Sequence, residues 1–379
     1  MAQVSEAQVR EALNSVNDPE IKRPITELGM VDTITIDDAT ITVRLLLTVS
    51  GCPLKDTLTR DVTAAVTKIA PASAVRVDMG VMTDEQRKDM QTMLRGGHTD
   101  REIPFAKPGS LTKIYAIASG KGGVGKSSVT VNLALAMARQ GLKVGIVDAD
   151  IYGHSIPDML GAGDARPTQV GDMIMPVPIK GIKVISVGML KPSRDQVVAW
   201  RGPMLDRALV QMLSDVFWGD LDALFLDLPP GTGDVAISLG QHLSNAEVIV
   251  VTTPQSAAAT VAERAGTMAS MMHQRVIGVV ENMSYLELPS GDRMEIFGSG
   301  GGEKVATTLS SRFGYDVPLL GQIPLSEDVR VGGDSGDPIV VTDPDSNAAK
   351  ELVRIADQLS GRSRGLAGMQ LGLAPAGRL

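Results

Sequence analysis

A glycine-rich segment carries the clearest chemistry in this 379-residue sequence. Residues 120–128 read GKGGVGKSS, and they follow an apolar run that predicts a buried strand. The spacing fits the G-x-x-x-x-G-K-S pattern of a phosphate-binding loop, in which glycines let consecutive backbone N–H groups point inward around an anion. The helix that follows adds positive potential at its N-terminus. The pattern therefore predicts that Lys126 bridges the β- and γ-phosphates of a nucleotide and that the Ser127 hydroxyl is a ligand of Mg²⁺.

Two acidic segments end predicted strands and supply carboxylates for the same site. Asp148 and Asp150 belong to the run VDAD, and Asp227 ends the run LFLD. Ligands of open α/β sheets bind outside the carboxyl ends of the strands, so these side chains are expected beside the phosphates. We interpret Asp148 and Asp227 as carboxylates near Mg²⁺, with Asp227 as the Walker B residue. Residues 229–234 (PPGTGD) then form a flexible loop suited to sensing the γ-phosphate.

The elements that position these residues follow a regular alternation from Lys113 onward. Short continuous apolar runs alternate with longer helical patterns, which implies a parallel sheet covered by helices on both faces. The predicted strands are 113–119, 143–147, 183–187, 223–228, 248–252 and 276–280, and the helix after the phosphate loop is predicted at 129–139. The predicted fold class is therefore α/β, a P-loop NTPase with a mostly parallel sheet, preceded by a small α+β domain.

The pattern divides the chain into four parts. Residues 1–95 predict the small α+β domain, and the polar residues 96–110, which contain Gly and Pro, predict a linker. Residues 111–360 form the predicted P-loop domain, and the Gly- and Ala-rich residues 361–379 predict a mobile tail, with helix formation on a partner as the alternative. Within the first part the predicted elements are a helix at 4–16, strands at 30–36 and 40–48, a helix at 57–69 and a third strand at 74–79.

Composition excludes several classes of protein. Hydrophobic residues make up 43% of the chain and charged residues 21%, which excludes a disordered chain. A single cysteine excludes a disulfide within the chain and a zinc site built from several of its cysteines. The net charge of −8 argues against duplex DNA or an anionic membrane as a partner. The polar N-terminus and the lack of an 18-residue apolar run lead us to expect a cytoplasmic protein.

Several motifs together resemble one known family. The loop KGGVGKS, with its extra Lys121, resembles the deviant Walker A loop of the MinD/ParA/Mrp class. The motifs DADIYGHSIPDML, DLPPGTGD, ENMSY and IFGSGGGEKVA follow in the order typical of the Mrp/ApbC family of iron–sulfur cluster carrier ATPases. The motifs DPEI, LGMV and TVSGCP in the first part resemble the small iron–sulfur-assembly domain often fused ahead of these ATPases.

The resemblance implies a slow, switch-like ATPase that works as a homodimer. Lys121 is then expected to reach the ATP of the partner subunit, and with Lys126 and Asp150 it forms the predicted catalytic set. Asp150 would orient the attacking water, although it could instead support the metal site without contacting water or metal. Asn282 would help to read the adenine base. The remaining predicted ATP contacts are Gly120, Gly122, Gly123, Val124, Gly125, Ser127 and Ser128.

One departure from the family concerns the iron–sulfur cluster. Family members usually carry a C-x-x-C pair soon after ENMSY, and two pairs across a dimer supply four thiolates to one [4Fe–4S] cluster. Here residues 285–293 (YLELPSGDR) contain no cysteine, so a homodimer offers only two thiols, both Cys52. Cys52 is therefore a candidate cluster ligand, but a free cysteine is as often an inert buried hydrophobe, and both readings stay open.

Three functions follow from these observations. The leading expectation is that the protein binds iron–sulfur clusters and transfers them to apoproteins or assembly factors. The alternative is an ATP-driven adaptor or scaffold for iron–sulfur protein maturation that holds no cluster itself. A positioning ATPase of the ParA/MinD type is a third reading, but it requires a DNA-binding patch or a membrane helix that the charge pattern does not favour.

Overall fold

The computed structural model describes residues 4–37, 40–48, 55–94, 102–107, 109–151, 153–191 and 202–361. Cys52 and the predicted tail beyond residue 361 lie outside the described residues, as do residues 96–101 and 108 of the predicted linker.

The described residues form fifteen strands, thirteen α-helices and one short 3-10 helix (Pro104–Ala106). The strands are β1 (Val31–Ile36), β2 (Thr40–Leu47), β3 (Ala74–Val81), β4 (Lys113–Ser119), β5 (Val144–Asp148), β6 (Thr168–Val170), β7 (Met173–Met175), β8 (Val177–Ile179), β9 (Ile182–Ser186), β10 (Ala223–Asp227), β11 (Glu247–Thr252), β12 (Arg275–Glu281), β13 (Leu286–Glu287), β14 (Arg293–Met294) and β15 (Leu319–Gln322). The helices are α1 (Glu6–Leu13), α2 (Lys55–Ile69), α3 (Asp84–Leu94), α4 (Lys126–Arg139), α5 (Ile156–Met159), α6 (Val187–Leu190), α7 (Gly202–Ser214), α8 (Asp234–His242), α9 (Ser256–Met271), α10 (Gly301–Phe313), α11 (Glu327–Ser335), α12 (Ile339–Thr342) and α13 (Asn347–Ser360).

The largest sheet has eight strands in the order β15-β12-β11-β4-β10-β5-β9-β8. All neighbouring pairs from β15 to β9 are parallel. The central strands are buried along their length because both faces are covered by helices such as α4 and α9, which explains their continuous apolar sequences. This architecture confirms the predicted fold class.

Register within this sheet aligns the functional strand ends. Asp227 pairs with Ile117 of β4 on one side and with Asp148 of β5 on the other. The phosphate loop leaves β4 only two residues after Ile117, so the loop and both carboxylates meet at one edge of the sheet.

Observed bounds differ from the predicted ones in understandable ways. Helix α4 begins at Lys126 rather than at residue 129, because Gly125 before it adopts a left-handed backbone (φ 78°) that ends the loop. Helix α3 was not predicted from the sequence, since DEQRKDMQTML has few apolar residues and only Met90 and Gln91 are buried. The hairpin β13–β14 was also missed, because its strands are two residues long.

Contacts between residues gather the chain into two compact units, and each contains more than one stretch of sequence. The first unit consists of residues 1–101, 167–177 and 215–219, and the second contains the rest. The predicted division of the chain at residues 96–110 remains a prediction.

The first unit is built around a three-stranded sheet in the order β1-β2-β3. Strands β1 and β2 are antiparallel, whereas β2 and β3 are parallel, with α2 as the crossover. The core lies between the sheet and the helices α1 and α2, which contact β1 and β3 respectively, and Val9, Leu45 and Val62 are fully buried in it.

Residues that follow the phosphate loop in sequence complete the core of the first unit. Val170 and Met175 are buried in that core, and Phe217 packs against it. The Thr168 hydroxyl donates a hydrogen bond to Glu20 Oε2 at 2.9 Å. The β6–β7 hairpin is therefore part of the N-terminal unit's packing.

In the part of the chain that the structure describes, we find no helix with the length and apolar character needed to cross a membrane.

Replacing Met175 by alanine should destabilise the first unit, although Met175 is far from it in sequence. The side chain is 1% exposed, and deleting a buried methionine side chain costs about 2–5 kcal/mol of stability. We expect faster hydrogen exchange in β2 and α2 of Met175→Ala, measured by mass spectrometry. Met271→Ala is the control, because Met271 is 64% exposed on α9. Unchanged exchange in β2 and α2 would contradict the assignment of residues 167–177 to this unit.

Candidate nucleotide-binding site

The phosphate loop connects β4 to α4, and its glycines meet two physical demands. Gly123 and Gly125 have left-handed backbones (φ 80° and 78°), which residues with a side chain rarely adopt. A Cβ at Gly120 would collide with the backbone of Val261, so this glycine lets α9 pack directly against the loop. The turn and the close approach both require the glycine pattern found in the sequence.

The loop lines a cavity of about 220 Å³. Every predicted ATP contact of the loop except Gly120 lines this cavity, together with Asp150. Pro230 of the predicted sensor loop also contributes to its wall. Asn282 does not line the cavity, and the predicted metal ligands Asp148 and Asp227 lie behind it, fully buried.

Three side chains of the site contact Asp227. Lys126 Nζ lies 2.6 Å from Asp227 Oδ2, and the Ser127 hydroxyl donates to the same oxygen at 2.6 Å. The Thr130 hydroxyl donates to Asp227 Oδ1 at 2.7 Å. Both lysine and aspartate are buried, so the pair is held in a low-dielectric environment.

Thr130 is a residue that the sequence interpretation missed. It lies one helical turn after Lys126, so both residues are on the same face of α4. That spacing was visible in the sequence, but only the fold places Asp227 opposite this face.

Asp148 lies beside Asp227 on the neighbouring strand and is also fully buried. Its Oδ2 accepts a hydrogen bond from the Ser186 hydroxyl at 3.0 Å. Burial, reinforced by the negative charge of Asp227, raises the pKa of Asp148 to about 8. The two carboxylates thus lie beside one lysine, and a cation bound next to them would favour the ionised form of Asp148.

The donor set of this site fits Mg²⁺. The Ser127 hydroxyl and the carboxylates of Asp148 and Asp227 offer hard oxygen atoms, which Mg²⁺ prefers. Within the described ranges no group of three or more His, Cys, Asp or Glu side chains could hold a metal ion. Mg²⁺ usually binds through one or two carboxylates together with water and substrate phosphates.

Asp150 is placed at the wall of the cavity. Its backbone N–H donates to Asp148 Oδ1 at 3.3 Å, and its own Oδ1 accepts from the backbone N–H of Gly153 at 3.0 Å. The carboxylate is therefore fixed by the turn that follows β5 and faces the space lined by the loop.

Lys121 lies at the rim of the cavity and contacts a residue of its own chain. Its Nζ lies 2.9 Å from Oε1 of Gln255, the residue that precedes the first turn of α9. Gln255 was not recognised in the sequence, because it is 134 residues from Lys121 and carries no motif of its own.

Asn282 contacts the phosphate loop rather than open space. The Asn282 side chain is buried, and its Nδ2 donates to the backbone oxygen of Val124 at 2.9 Å. Glu281, which the sequence interpretation missed, is buried beside it and accepts hydrogen bonds from three other groups.

The segment that lacks the family's cysteine pair forms the hairpin β13–β14. The Arg293 guanidinium lies over the ring of Tyr285, 4.0 Å from its centre. Glu287 accepts a hydrogen bond from the side chain of Asn347. A cation–π contact and a polar pair thus lie in the segment where the family resemblance implies a cysteine pair.

Comparison with known families agrees with this geometry. The family model described as NUBPL iron-transfer P-loop NTPase matches residues 110–360, about two thirds of the chain. The chain belongs to this family. A second model, described as iron-sulfur cluster assembly protein, matches residues 6–79. The resemblance carried by the sequence motifs is thereby confirmed for both parts of the chain.

Two relatives match along most of the chain. The iron-sulfur cluster carrier protein of Mycobacterium tuberculosis (strain ATCC 25618 / H37Rv) is 59% identical over 373 residues, covering 98% of this chain and 97% of the relative. The iron-sulfur cluster carrier protein of Bacillus subtilis (strain 168) is 40% identical, with coverage of 86% and 89%.

A solved structure extends the comparison to nucleotide binding. The nucleotide-binding protein of Archaeoglobus fulgidus in complex with ADP is 35% identical, with a TM-score of 0.51, and the match covers 67% of this chain and 91% of that one. This chain therefore has the fold of a nucleotide-binding P-loop NTPase. The individual roles of its site residues remain predictions.

Replacing Thr130 by valine keeps the shape of the side chain but removes the hydrogen bond to Asp227. Loss of a group that orients a metal-binding carboxylate typically lowers metal affinity or activity about 10–100-fold. We expect Thr130→Val to need more Mg²⁺ for half-maximal ATP hydrolysis, measured by titration. Thr260→Val is the control, because its exposed hydroxyl bonds only within α9. The same Mg²⁺ dependence in Thr130→Val and wild type would contradict the orienting role.

Proposed function

We propose that this protein is an ATPase that carries iron–sulfur clusters and transfers them to apoproteins. One observation carries the proposal. The chain is 59% identical, over 98% of its length, to a protein named iron-sulfur cluster carrier protein. It also has a phosphate loop, a buried lysine and paired carboxylates at one edge of the sheet.

The geometry supports ATP hydrolysis by positioning and charge neutralisation. The backbone N–H groups of the loop and Lys126 would bind the β- and γ-phosphates, so Lys126 would exchange Asp227 for phosphate oxygens. Mg²⁺ held by Ser127 and the carboxylates would supply further positive charge to the transferring phosphoryl group. Asp150 would hold the attacking water in line with the γ-phosphate. The turnover would be slow, because the chemistry serves a conformational switch.

We further propose that the active form is a homodimer in which Lys121 acts on the ATP of the partner subunit. Lys126 already serves the phosphates of its own loop, so a second lysine in the loop has no required role there. The contact between Lys121 and Gln255 describes a resting arrangement, which Lys121 would leave when two ATP-bound subunits meet.

Replacing Lys121 by alanine tests the lysine's role. We expect Lys121→Ala to lose most ATP hydrolysis, at least about tenfold, because a charge that stabilises the transition state is removed, while ATP binding stays measurable. Calorimetry measures binding, and phosphate release measures hydrolysis. Lys350→Ala, at an exposed lysine on α13, is the control. Mixing Lys121→Ala with an Asp150→Asn chain should restore part of the activity if the lysine acts across the dimer. Unchanged hydrolysis in Lys121→Ala would overturn the proposal.

The cluster is the cargo of the proposed carrier. Thiolates are the usual ligands of such clusters, and the chain has one cysteine, Cys52. A homodimer would then hold a cluster with two Cys52 thiolates and non-thiolate ligands. The single cysteine also favours a second candidate function, an ATP-driven adaptor that docks apoproteins or assembly factors without holding the cluster.

Anaerobic reconstitution with iron and sulfide separates these two functions. If the protein is a carrier, we expect the visible absorbance of an iron–sulfur cluster, measurable iron content in each dimer, and transfer of the cluster to an apo-acceptor. Cys52→Ala should lose all three while keeping ATP hydrolysis. Absence of cluster from wild type with intact hydrolysis would exclude the carrier function and favour the adaptor.

A positioning ATPase of the ParA/MinD type is the least favoured reading. The net charge of −8 argues against nucleic acid and anionic membranes as partners. The cytoplasmic location remains a prediction from the sequence.

A further inference from the structure

A phosphate loop creates a backbone problem on its outer side. To bind an anion, consecutive N–H groups must point inward, so neighbouring carbonyl groups are turned outward, away from the phosphates. Val124 is 2% exposed, so its carbonyl cannot rely on bulk water. A buried carbonyl without a donor is costly, and some group of the protein must therefore serve it.

Asn282 supplies that donor from the far side of the loop. Its Nδ2 donates to Val124 O at 2.9 Å, and only 6% of the residue is exposed. Its backbone N–H is also fixed, because it donates to the carbonyl of Thr252 at 2.8 Å. The amide thus spans from the end of β12 to the loop that follows β4.

Backbone conformation on both sides of this contact is unusual. Met283, directly after Asn282, has a left-handed backbone (φ 55°), which is uncommon for a residue with a long side chain. Gly125 opposite it is also left-handed, and a Cβ there would overlap the Asn282 amide. The absence of a side chain at Gly125 leaves room for the Asn282 amide, and the strained backbone at Met283 follows directly after it. Both features allow the amide to reach the Val124 carbonyl.

Glu281 fixes the base of the same segment. Its buried carboxylate accepts from the Gly302 backbone N–H at 2.5 Å and from Gln322 Nε2 at 2.8 Å, and it also bonds to the Ser284 hydroxyl. The segment is therefore anchored to the start of α10 and to the end of β15, so Asn282 is held from a rigid support.

We propose that Asn282 is a positioning residue for the phosphate loop: its amide holds the Val124 carbonyl outward and so keeps the N–H groups directed at the phosphates. This proposal rests on the proposed nucleotide binding and deepens it. It assigns Asn282 an effect on every ligand with a polyphosphate group, whatever base that ligand carries.

Binding of three ligands to Asn282→Asp distinguishes this role from reading of the base. ATP, GTP and inorganic tripolyphosphate, each with Mg²⁺, share the phosphate chain but differ in or lack a base. Asp keeps the size of the side chain and loses the donor to Val124. We expect all three ligands to bind about tenfold or more weakly, by the same factor, because an unserved buried carbonyl disorders the loop. Calorimetry measures the affinities.

The matched control is Asn245→Asp. Asn245 Nδ2 also donates to a backbone oxygen at 2.9 Å, that of Phe105, and Asn245 does not line the nucleotide cavity. Its binding of all three ligands should equal that of wild type. Asn282→Ser, which is smaller and neutral, repeats the test, and thermal unfolding with far-UV circular dichroism verifies that each variant is folded.

Three outcomes are decisive. An equal loss for ATP, GTP and tripolyphosphate in folded Asn282 variants supports the proposal. A loss confined to ATP, with tripolyphosphate bound as in wild type, overturns it and assigns Asn282 to the base. If wild type binds none of the three ligands, the proposed nucleotide binding itself fails, which is a separate result.

Discussion

The buried pair of Lys126 and Asp227 is the interaction on which the site depends. A lysine and an aspartate this far from solvent are tolerated only because they meet at 2.6 Å and because Ser127 and Thr130 satisfy the remaining oxygen positions. Removing one member of such a pair typically costs about 3–5 kcal/mol, since the other is left charged and unpaired. The order of the neighbouring strands β4, β10 and β5 makes this pair possible, because it brings the loop, Asp227 and Asp148 to one edge of the sheet.

The same pair makes the site ready for an anion. Asp148 next to Asp227 gives two buried carboxylates for one lysine, an arrangement that is unfavourable by itself and raises the pKa of Asp148. A bound nucleotide and its cation would remove this unfavourable arrangement, because phosphate oxygens would pair with Lys126 and the metal ion would pair with the carboxylates. The paired carboxylates thus make this part of the protein less stable than an uncharged core would be. Functional sites commonly lose stability in this way.

The sequence predicted those features that depend on local pattern. The phosphate loop, the acidic strand ends and the parallel sheet follow from spacing and from continuous apolar runs, and the structure has each of them. Thr130, Gln255 and Glu281 were not predicted, because their partners lie on other elements and each contact exists only after the strands are ordered. Helix α3 was missed for a different reason, since a largely polar helix shows weak periodicity. The place of Val170 and Met175 in the first unit was beyond any local pattern, because it is a contact between distant parts of the chain.

The first unit is built from three separate stretches of sequence, and this affects its folding during synthesis on the ribosome. Residues 1–101 emerge first, but their core also needs residues 167–177 and 215–219. The last of these is made about 120 residues later, a delay of about 6–24 s at a translation rate of about 5–20 residues per second. During that interval the nascent N-terminal part lacks Val170 and Met175, so apolar surface that they cover in the finished protein stays open to chaperones. The first unit therefore cannot complete its core until residue 219 has been made, long after its first 101 residues have emerged.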